Sequence, residues 1–358
     1  MQKSKASEAF FMDPLYDYTG GKLELMRQVS KSVREHIDRV KPNYEVRMNT
    51  QFYEALPGDQ TQKTAVMLDA LRDLSSRVSM TTLYLPHMYL SGSEQVLAAV
   101  VRQQQENLTL VDLNNNSFDA GMPAVLGAAL AQCTSLTRVA MSSCGMSESV
   151  IAELMPHLSR CTKLTHLNLA NNTLRRIGSQ GVASALASLP RLMHVNLAGN
   201  VIGDAGAILL AEALPRCTEL RHLDLCSNSI NSAGCERLAT ALLQCPALAE
   251  LHLSSNHIGN EGCEALTDMR KARPRTSMHV DVRRNGVGIH AMLDARAVGI
   301  LSFDYAIVNV PQAPAAPMDW GGHGATDAAL CVEASGLWDA QLRAMKSLLD
   351  CDAHDIGH

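Results

Sequence analysis

Aliphatic residues return at a fixed interval of 28 positions through most of this chain, and no other feature restricts its fold as severely. Residues 166–174 read HLNLANNTL, 194–202 read HVNLAGNVI and 222–230 read HLDLCSNSI. Aligned on the pattern LxxLxLxxNxL, eight units appear, with Leu83, Val111, Val139, Leu167, Val195, Leu223, Leu251 and Val280 at the fourth position. Within LxL, apolar and polar residues alternate with period two, which predicts a short strand whose aliphatic side chains point inward. After the eleventh position (Leu90, Phe118, Met146, Leu174, Ile202, Ile230, Ile258, Val287) the period changes. Leu126 and Leu130, Leu154 and Leu158, Leu210 and Leu214, and Leu238 and Leu242 then recur four apart, one face of a helix.

A single strand-loop-helix unit cannot bury its own apolar face, so neighbours must stack, and equal spacing makes their strands adjacent and parallel. Helices pack about 10 Å apart and strands about 4.8 Å apart, so the stack bends with strands inside and helices outside. The expected fold is an α/β solenoid of about eight repeats: a curved parallel sheet on the concave face, helices on the convex face, and a helical N-terminal cap. At the ninth position Asn116, Asn172, Asn200, Asn228, Asn256 and Asn285 form a column whose amides satisfy loop backbone groups that no sheet ladder reaches. Met88 and Cys144 interrupt it. Glycines at 178, 206, 234 and 262 fit the start of each convex helix, where a side chain would clash or φ must be positive.

These residues resemble the ribonuclease-inhibitor-type leucine-rich repeat family, over roughly 80 to 290. The resemblance implies the solenoid. It leaves function open, because similar proteins include the ribonuclease inhibitor, the activating protein of the Ran GTPase, the sensor region of NOD-like receptors, the actin-capping tropomodulins and several axonemal proteins.

Composition narrows the classes further. With a net charge of -5 in 358 residues and no long run of one sign, nothing global favours nucleic acid or an anionic membrane. No stretch of 18 apolar residues occurs and the first residues lack a signal-peptide core, so a cytoplasmic location is expected. Cys133, Cys161, Cys217 and Cys245 share one repeat column, in which Leu189 fills the missing slot, and Cys235 and Cys263 share another. Exchange with leucine marks them as buried, reduced packing groups.

The ends require caps. The expected division is an N-terminal extension and helical cap over 1–79, eight repeats over 80–290, a C-terminal cap over 291–310, and a Pro/Gly-rich linker with a short helix over 311–358. Within these, 61–77 is the cap helix, 22–40 an amphipathic helix, 301–310 a last strand and 337–350 a terminal helix.

The message of such a chain lies on its inner face. Position three reads Thr82, Leu110, Arg138, His166, His194, His222, Glu250 and His279; position five reads Tyr84, Asp112, Ala140, Asn168, Asn196, Asp224, His252 and Asp281. From these, Tyr84, Asp112, Arg138, His166, Asn168, His194, Asn196, His222, Asp224, Glu250, His252, His279 and Asp281 are the expected partner contacts, with Arg283 and Arg284 beside them. Positions seven and eight are small through the middle, which permits close approach or relieves crowding. Arg270, Lys271, Arg273 and Arg275 extend the two concave arginines into a basic rim suited to an acidic tail or a phosphate. Three histidines on successive strands also fit a metal in principle, but the nearby acids do not complete a ligand set, and no metal or cofactor is expected. The chain lacks GxxxxGK[ST], GxGxxG after a strand, HExxH, CxxC and GxSxG. The expectation is a non-enzymatic scaffold that binds protein within a hetero-oligomeric cytoplasmic or cytoskeletal assembly, the ciliary axoneme among them. The alternatives are a GTPase activator using Asn114, Asn115, Asn168 and Asn171, a ribonuclease-type inhibitor, and an actin cap.

Overall fold

The computed structural model describes residues 44–47, 58–76, 79–273 and 278–298. The expected segments 22–40, 301–310, 311–325 and 337–350 lie outside the described residues, as does Arg275. Among the described residues, nine strands form one sheet in chain order, each parallel to the next. They are β1 (Tyr44–Arg47), β2 (Met80–Tyr84), β3 (Leu110–Asp112), β4 (Arg138–Ala140), β5 (His166–Asn168), β6 (His194–Asn196), β7 (His222–Asp224), β8 (Glu250–His252) and β9 (His279–Asp281). Between them run α1 (Gln60–Ser75), α2 (Glu94–Gln103), α3 (Ala128–Leu130, preceded by a π-helical turn at Pro123–Gly127), α4 (Glu148–Leu158), α5 (Arg175–Leu186), α6 (Gly203–Ala213), α7 (Ser232–Leu242) and α8 (Gly259–Ala272). A last helix, α9 (Ile289–Ala297), follows β9 and straddles the boundary expected at 290. The sheet also begins one strand earlier than the eight repeats, because YEVR at 44–47 lacks the LxxLxL frame yet pairs in parallel with β2.

From β2 onward the register is the repeat itself: Leu83 faces Val111, Val111 faces Val139, and so on to Leu251 and Val280. All eight fourth-position residues are buried, together with the sixth-position Leu85, Leu113, Met141, Leu169, Leu197, Leu225, Leu253 and Val282. The outer faces of the helices stay wet while Leu126, Leu154, Leu210 and Leu238 turn into one continuous core. That burial is the bulk driving force, and it is non-directional.

Direction comes from the asparagine column. Asn200 Nδ2 donates to its own Leu197 O (2.9 Å) and Ala198 O (3.1 Å) and to Leu169 O of the preceding repeat (2.9 Å). Its Oδ1 accepts from Asn172 N at 3.1 Å. Asn172, Asn228, Asn256 and Asn285 repeat the same reach to the preceding repeat. At the interruption, the Cys144 thiol stands in for the amide and donates to Leu113 O at 3.2 Å. A second, smaller ladder joins the strand entrances, in which Thr109, Thr137 and Thr165 hydroxyls donate to the carbonyls of Thr81, Thr109 and Thr137.

On the convex side the four glycines are sites of close helix approach. A Cβ on Gly206 would lie 2.6 Å from Ser179 Oγ and one on Gly234 would lie 3.1 Å from the Asp204 backbone. Of the two reasons expected for this column, the clash is the one that operates, since none of the four has positive φ. Residues from one repeat also cap the next: Asp204 Oδ1 accepts from Asn231 N and Gly234 N at the start of α7, and Asn260 Oδ1 accepts from Gly288 N at 2.7 Å.

All eight described cysteines are free thiols. Burial pushes Cys133 and Cys217 up to about 12 and Cys161 and Cys245 up to about 11, so they persist as inert thiols. Cys161 and Cys245 donate weakly to Leu130 O and Leu214 O of the repeat before. Arg273 occupies the next place in that column: it is buried, and its guanidinium donates to Leu242 O and Pro246 O, both at 3.1 Å.

Replacing Asn200 with Ala strands several buried loop groups at once. It should lower unfolding free energy by about 3 kcal/mol in urea titration. Cys144→Asn should raise it by about 1 kcal/mol by completing the column, and a loss instead would show that the thiol site is too small for an amide.

Candidate functional site

The inner face is set by strand geometry: fourth and sixth positions turn to the core, so third and fifth positions turn away from it. Sheet register places position three as one row, with Thr82, Leu110, Arg138, His166, His194, His222, Glu250 and His279 successively opposite one another. Position five forms the parallel row from Tyr84 to Asp281. The expected contact residues are therefore brought together as a strip, most of them half-buried, with His166 and Asp281 buried and Arg283 and Arg284 exposed.

Two halves of this strip differ in chemistry. On β5, β6 and β7 the imidazoles of His166, His194 and His222 stack, with ring centroids 4.2 Å apart at each step and planes within 11° and 9°. The His166 ring also meets the Thr165 hydroxyl through Nδ1 at 2.8 Å. Burial first, then the neighbouring His166 and His222 and the Arg138 charge, hold His194 down to about 3, although Glu250 pulls the other way. At neutral pH His194 is an uncharged ring whose faces are covered by its neighbours. Beside this column the fifth-position row reads Asn168, Asn196 and Asp224, two amides followed by a carboxylate on β7.

On β7, β8 and β9 histidines and carboxylates alternate in both directions: His222, Glu250, His279 along one row and Asp224, His252, Asp281 along the other. Glu250 Oε2 lies 3.0 Å from His222 Nδ1 and 3.5 Å from His252 Nε2, and neither contact has hydrogen-bond geometry. The His252 and His279 rings are tilted, 6.2 Å apart. Burial lowers His279, and His252 adds to the effect, against the pull of Asp281 and Glu250. Among the described residues, no group of three or more His, Cys, Asp or Glu side chains is arranged to hold a metal ion.

Much of the strip also serves the backbone. Asp112, Asn168, Asn196, Asp224 and Asp281 each accept, through Oδ1, a hydrogen bond from the backbone N–H two residues on, which turns the chain out of the strand. Position eight has positive φ in every repeat: His87, Asn115, Ser143, Asn171, Gly199, Ser227, Ser255 and Arg284. Its preference for Asn, Ser and Gly is thus explained by a left-handed turn, which neither partner access nor crowding required. Cys226, at position seven, also lies on this face, its thiol sulfur accepting from Ser254 Oγ at 3.0 Å, and no repeat column of cysteines marks it in the sequence.

The basic rim is largely spent inside the protein. Arg273 is buried and bonded to carbonyls, Lys271 pairs with Asp268 at 3.0 Å, and Arg270 Nη1 donates to Arg273 O. Arg283 clamps Asp281, with Nη2 2.6 Å from Oδ2 and Nε 2.9 Å from Oδ1. That clamp outweighs burial, which alone would raise Asp281, and holds the carboxyl below its ordinary range. Of the asparagines considered for a nucleotide-site role, Asn114 Oδ1 accepts from Ser142 N at 2.6 Å and Asn168 is committed to its turn.

A comparison with protein families agrees with the repeated architecture. The family model described as "Leucine Rich repeat" matches residues 160–182, 189–211, 216–239 and 244–266. No curated protein matches significantly. Solved structures similar to this chain include a protein from Bacteroides fragilis (12% identity, TM-score 0.38, covering 56% of this chain and 66% of that one). Another is the Rad7 and Elc1 complex in yeast (15% identity, TM-score 0.41, 64% and 62%), and a third is a TDR receptor (17% identity, TM-score 0.38, 66% and 40%). The chain spans less than two thirds of the length of each.

The depressed His194 has a signed consequence for stability. Its ordinary value is 6.5 and its folded value about 3, so between these the unfolded chain takes a proton that the folded chain refuses. The contribution is fully present above pH 6.5 and is lost progressively as pH falls towards 3. His194→Phe keeps a stacking ring and removes the proton. The fall in urea midpoint from pH 7.5 to 5 should be shallower in this variant than in the parent, and equal slopes would refute the assignment.

Proposed function

From the premise that this chain belongs to the leucine-rich repeat family, we infer that it is a non-enzymatic protein-binding scaffold that takes its partner on the concave strip between β4 and β9. The observation that carries this reading is the strip itself, in which polar side chains on successive strands keep one register and form two chemically distinct halves. Asn168, Asn196 and the neutral His194 ring offer uncharged polar groups, while Glu250 and Asp224 offer carboxylates to the partner's cationic or N–H groups. A macromolecular surface fits such a strip better than a small molecule, because the contacts are spread along a sheet and do not converge on one point. Tyr84, Asp112 and Arg138 extend it towards the first repeats. Asp281 acts through Arg283, which it orients.

No helix among the described residues is long and apolar enough to cross a membrane, so binding does not rest on a helical anchor there. Membership of a hetero-oligomeric cytoplasmic or cytoskeletal assembly, an axoneme included, is the finer part of the proposal and rests on the resemblance of the repeats to those of such proteins. Proximity labelling in ciliated cells checks it: recovery of axonemal subunits is expected, and a partner set devoid of cytoskeletal proteins would remove that placement.

The binding face itself is tested by His194→Arg, which sets a bulky cation in the centre of the strip. Proteins captured by the parent chain should be lost by about tenfold or more, whereas Glu236→Lys on the exposed side of α7 should retain them. Equal capture by both variants, with unchanged melting curves, would move the binding face elsewhere.

A further inference from the structure

The first residue of α5 and one on the loop before α6 hold a backbone conformation ill-suited to their side chains. Arg175 has φ of 45° and Val201 of 54°. Left-handed backbone is costly for any residue with a Cβ and most costly for a β-branched one. Tyr89 and Ser229 share the place of Val201 with φ of 50° and 56°, and two further repeats use glycine at each place. Gly203 and Gly259 stand where Arg175 does, with φ of 60° and 63°, and Gly145 and Gly286 stand where Val201 does, with φ of 63° and 65°. The two strained residues are neighbours, since Arg175 N donates at 3.2 Å to Asn200 O, the carbonyl of the peptide that leads into Val201.

Core packing does not explain the choice. Val201 is 55% exposed and Ile177, half a turn into α5, is 53% exposed. Arg175 and Arg176 are exposed as well, and no carboxylate among the described residues forms an ion pair with either. Carboxylates of the adjoining helices bind backbone and amide groups and neither guanidinium. Glu148 Oε2 accepts from Ile177 N at 3.4 Å, and Asp204 caps the start of α7 through both of its oxygens. The rim displays two guanidinium groups without an ion pair among the described residues and two solvent-exposed aliphatic side chains, with Arg175 and Val201 on backbone that glycine would hold with less strain.

We propose that Arg175, Arg176, Ile177 and Val201 form a second docking surface, separate from the concave strip, for an acidic protein segment that carries a bulky aliphatic residue. Two cations in succession select carboxylates, bidentately where a guanidinium meets one squarely. The Ile177 and Val201 side chains lose water only against an apolar group, which excludes a partner that is merely charged.

The test uses the full chain and three labelled amidated hexapeptides, EELEEL, EEGEEG and KKLKKL, followed by fluorescence anisotropy at low salt. EELEEL should bind more tightly than either control. Arg175→Gly and Val201→Gly should each weaken it by about tenfold, and both variants should melt at a higher temperature than the parent, because the strain is relieved. This pairing of greater stability with weaker binding is what a purely structural role would not produce. Equal binding of EEGEEG, competition by inorganic phosphate as effective as by EELEEL, affinity within twofold in both variants, or a lower melting temperature in either would overturn the proposal. His194→Arg should leave EELEEL binding unchanged, so failure of the concave-face reading and failure of this one are told apart.

Discussion

A buried side-chain amide at the ninth position of each repeat is the interaction on which the rest depends. Strands of three residues supply few sheet hydrogen bonds, and leucine contacts do not care which neighbour they touch. The amide does: Asn200 holds carbonyls of its own loop and of the loop before, and accepts from the backbone of Asn172. It converts a heap of aliphatic side chains into an array with one register. Because the concave rows are simply the outward positions of those strands, the same amides decide which residues become neighbours on the binding face. The Cys144 exception obeys the rule chemically, since its thiol donates to Leu113 O where an amide would.

Most of the fold was legible in the residues. The LxL frame, the helical spacing after the eleventh position and the shared cysteine column all follow from which groups must be dry, and periodicity reports that directly. What escaped was local. YEVR carries no repeated leucine, and only its pairing with β2 reveals it as a strand. Arg273 reads as a surface cation because it is an arginine among arginines. Its place 28 residues after Cys245 was the available sign that it belongs to the buried column. Small residues at position eight looked like room for a partner, but they mark left-handed backbone, a property that composition alone cannot separate from crowding.

The site was legible as a list of positions and only partly as chemistry. Sequence spacing places three histidines on successive strands, yet it does not say whether they would share a proton, a metal or a stacking axis. The 4.2 Å stack answers that for His194, which is kept neutral by its buried setting and by the two rings flanking it. One strand further on, the same residue type has the Glu250 carboxylate 3.0 Å from its Nδ1. Identical scaffolding thus yields different surface chemistry from repeat to repeat, and that difference is the information a partner can read.

The capping contacts on the convex side carry one more implication. Asp204 and Asn260 reach forward to the helix of the following repeat, and each ninth-position amide reaches back to the loop of the preceding one, so no repeat depends on any but its immediate neighbours. Such a chain can lengthen by tandem duplication of one 28-residue block without redesign of the remainder, since the inserted copy brings its own forward and backward links. Copies inserted in this way need agree only at the inward and linking positions, and the outward ones are free to differ.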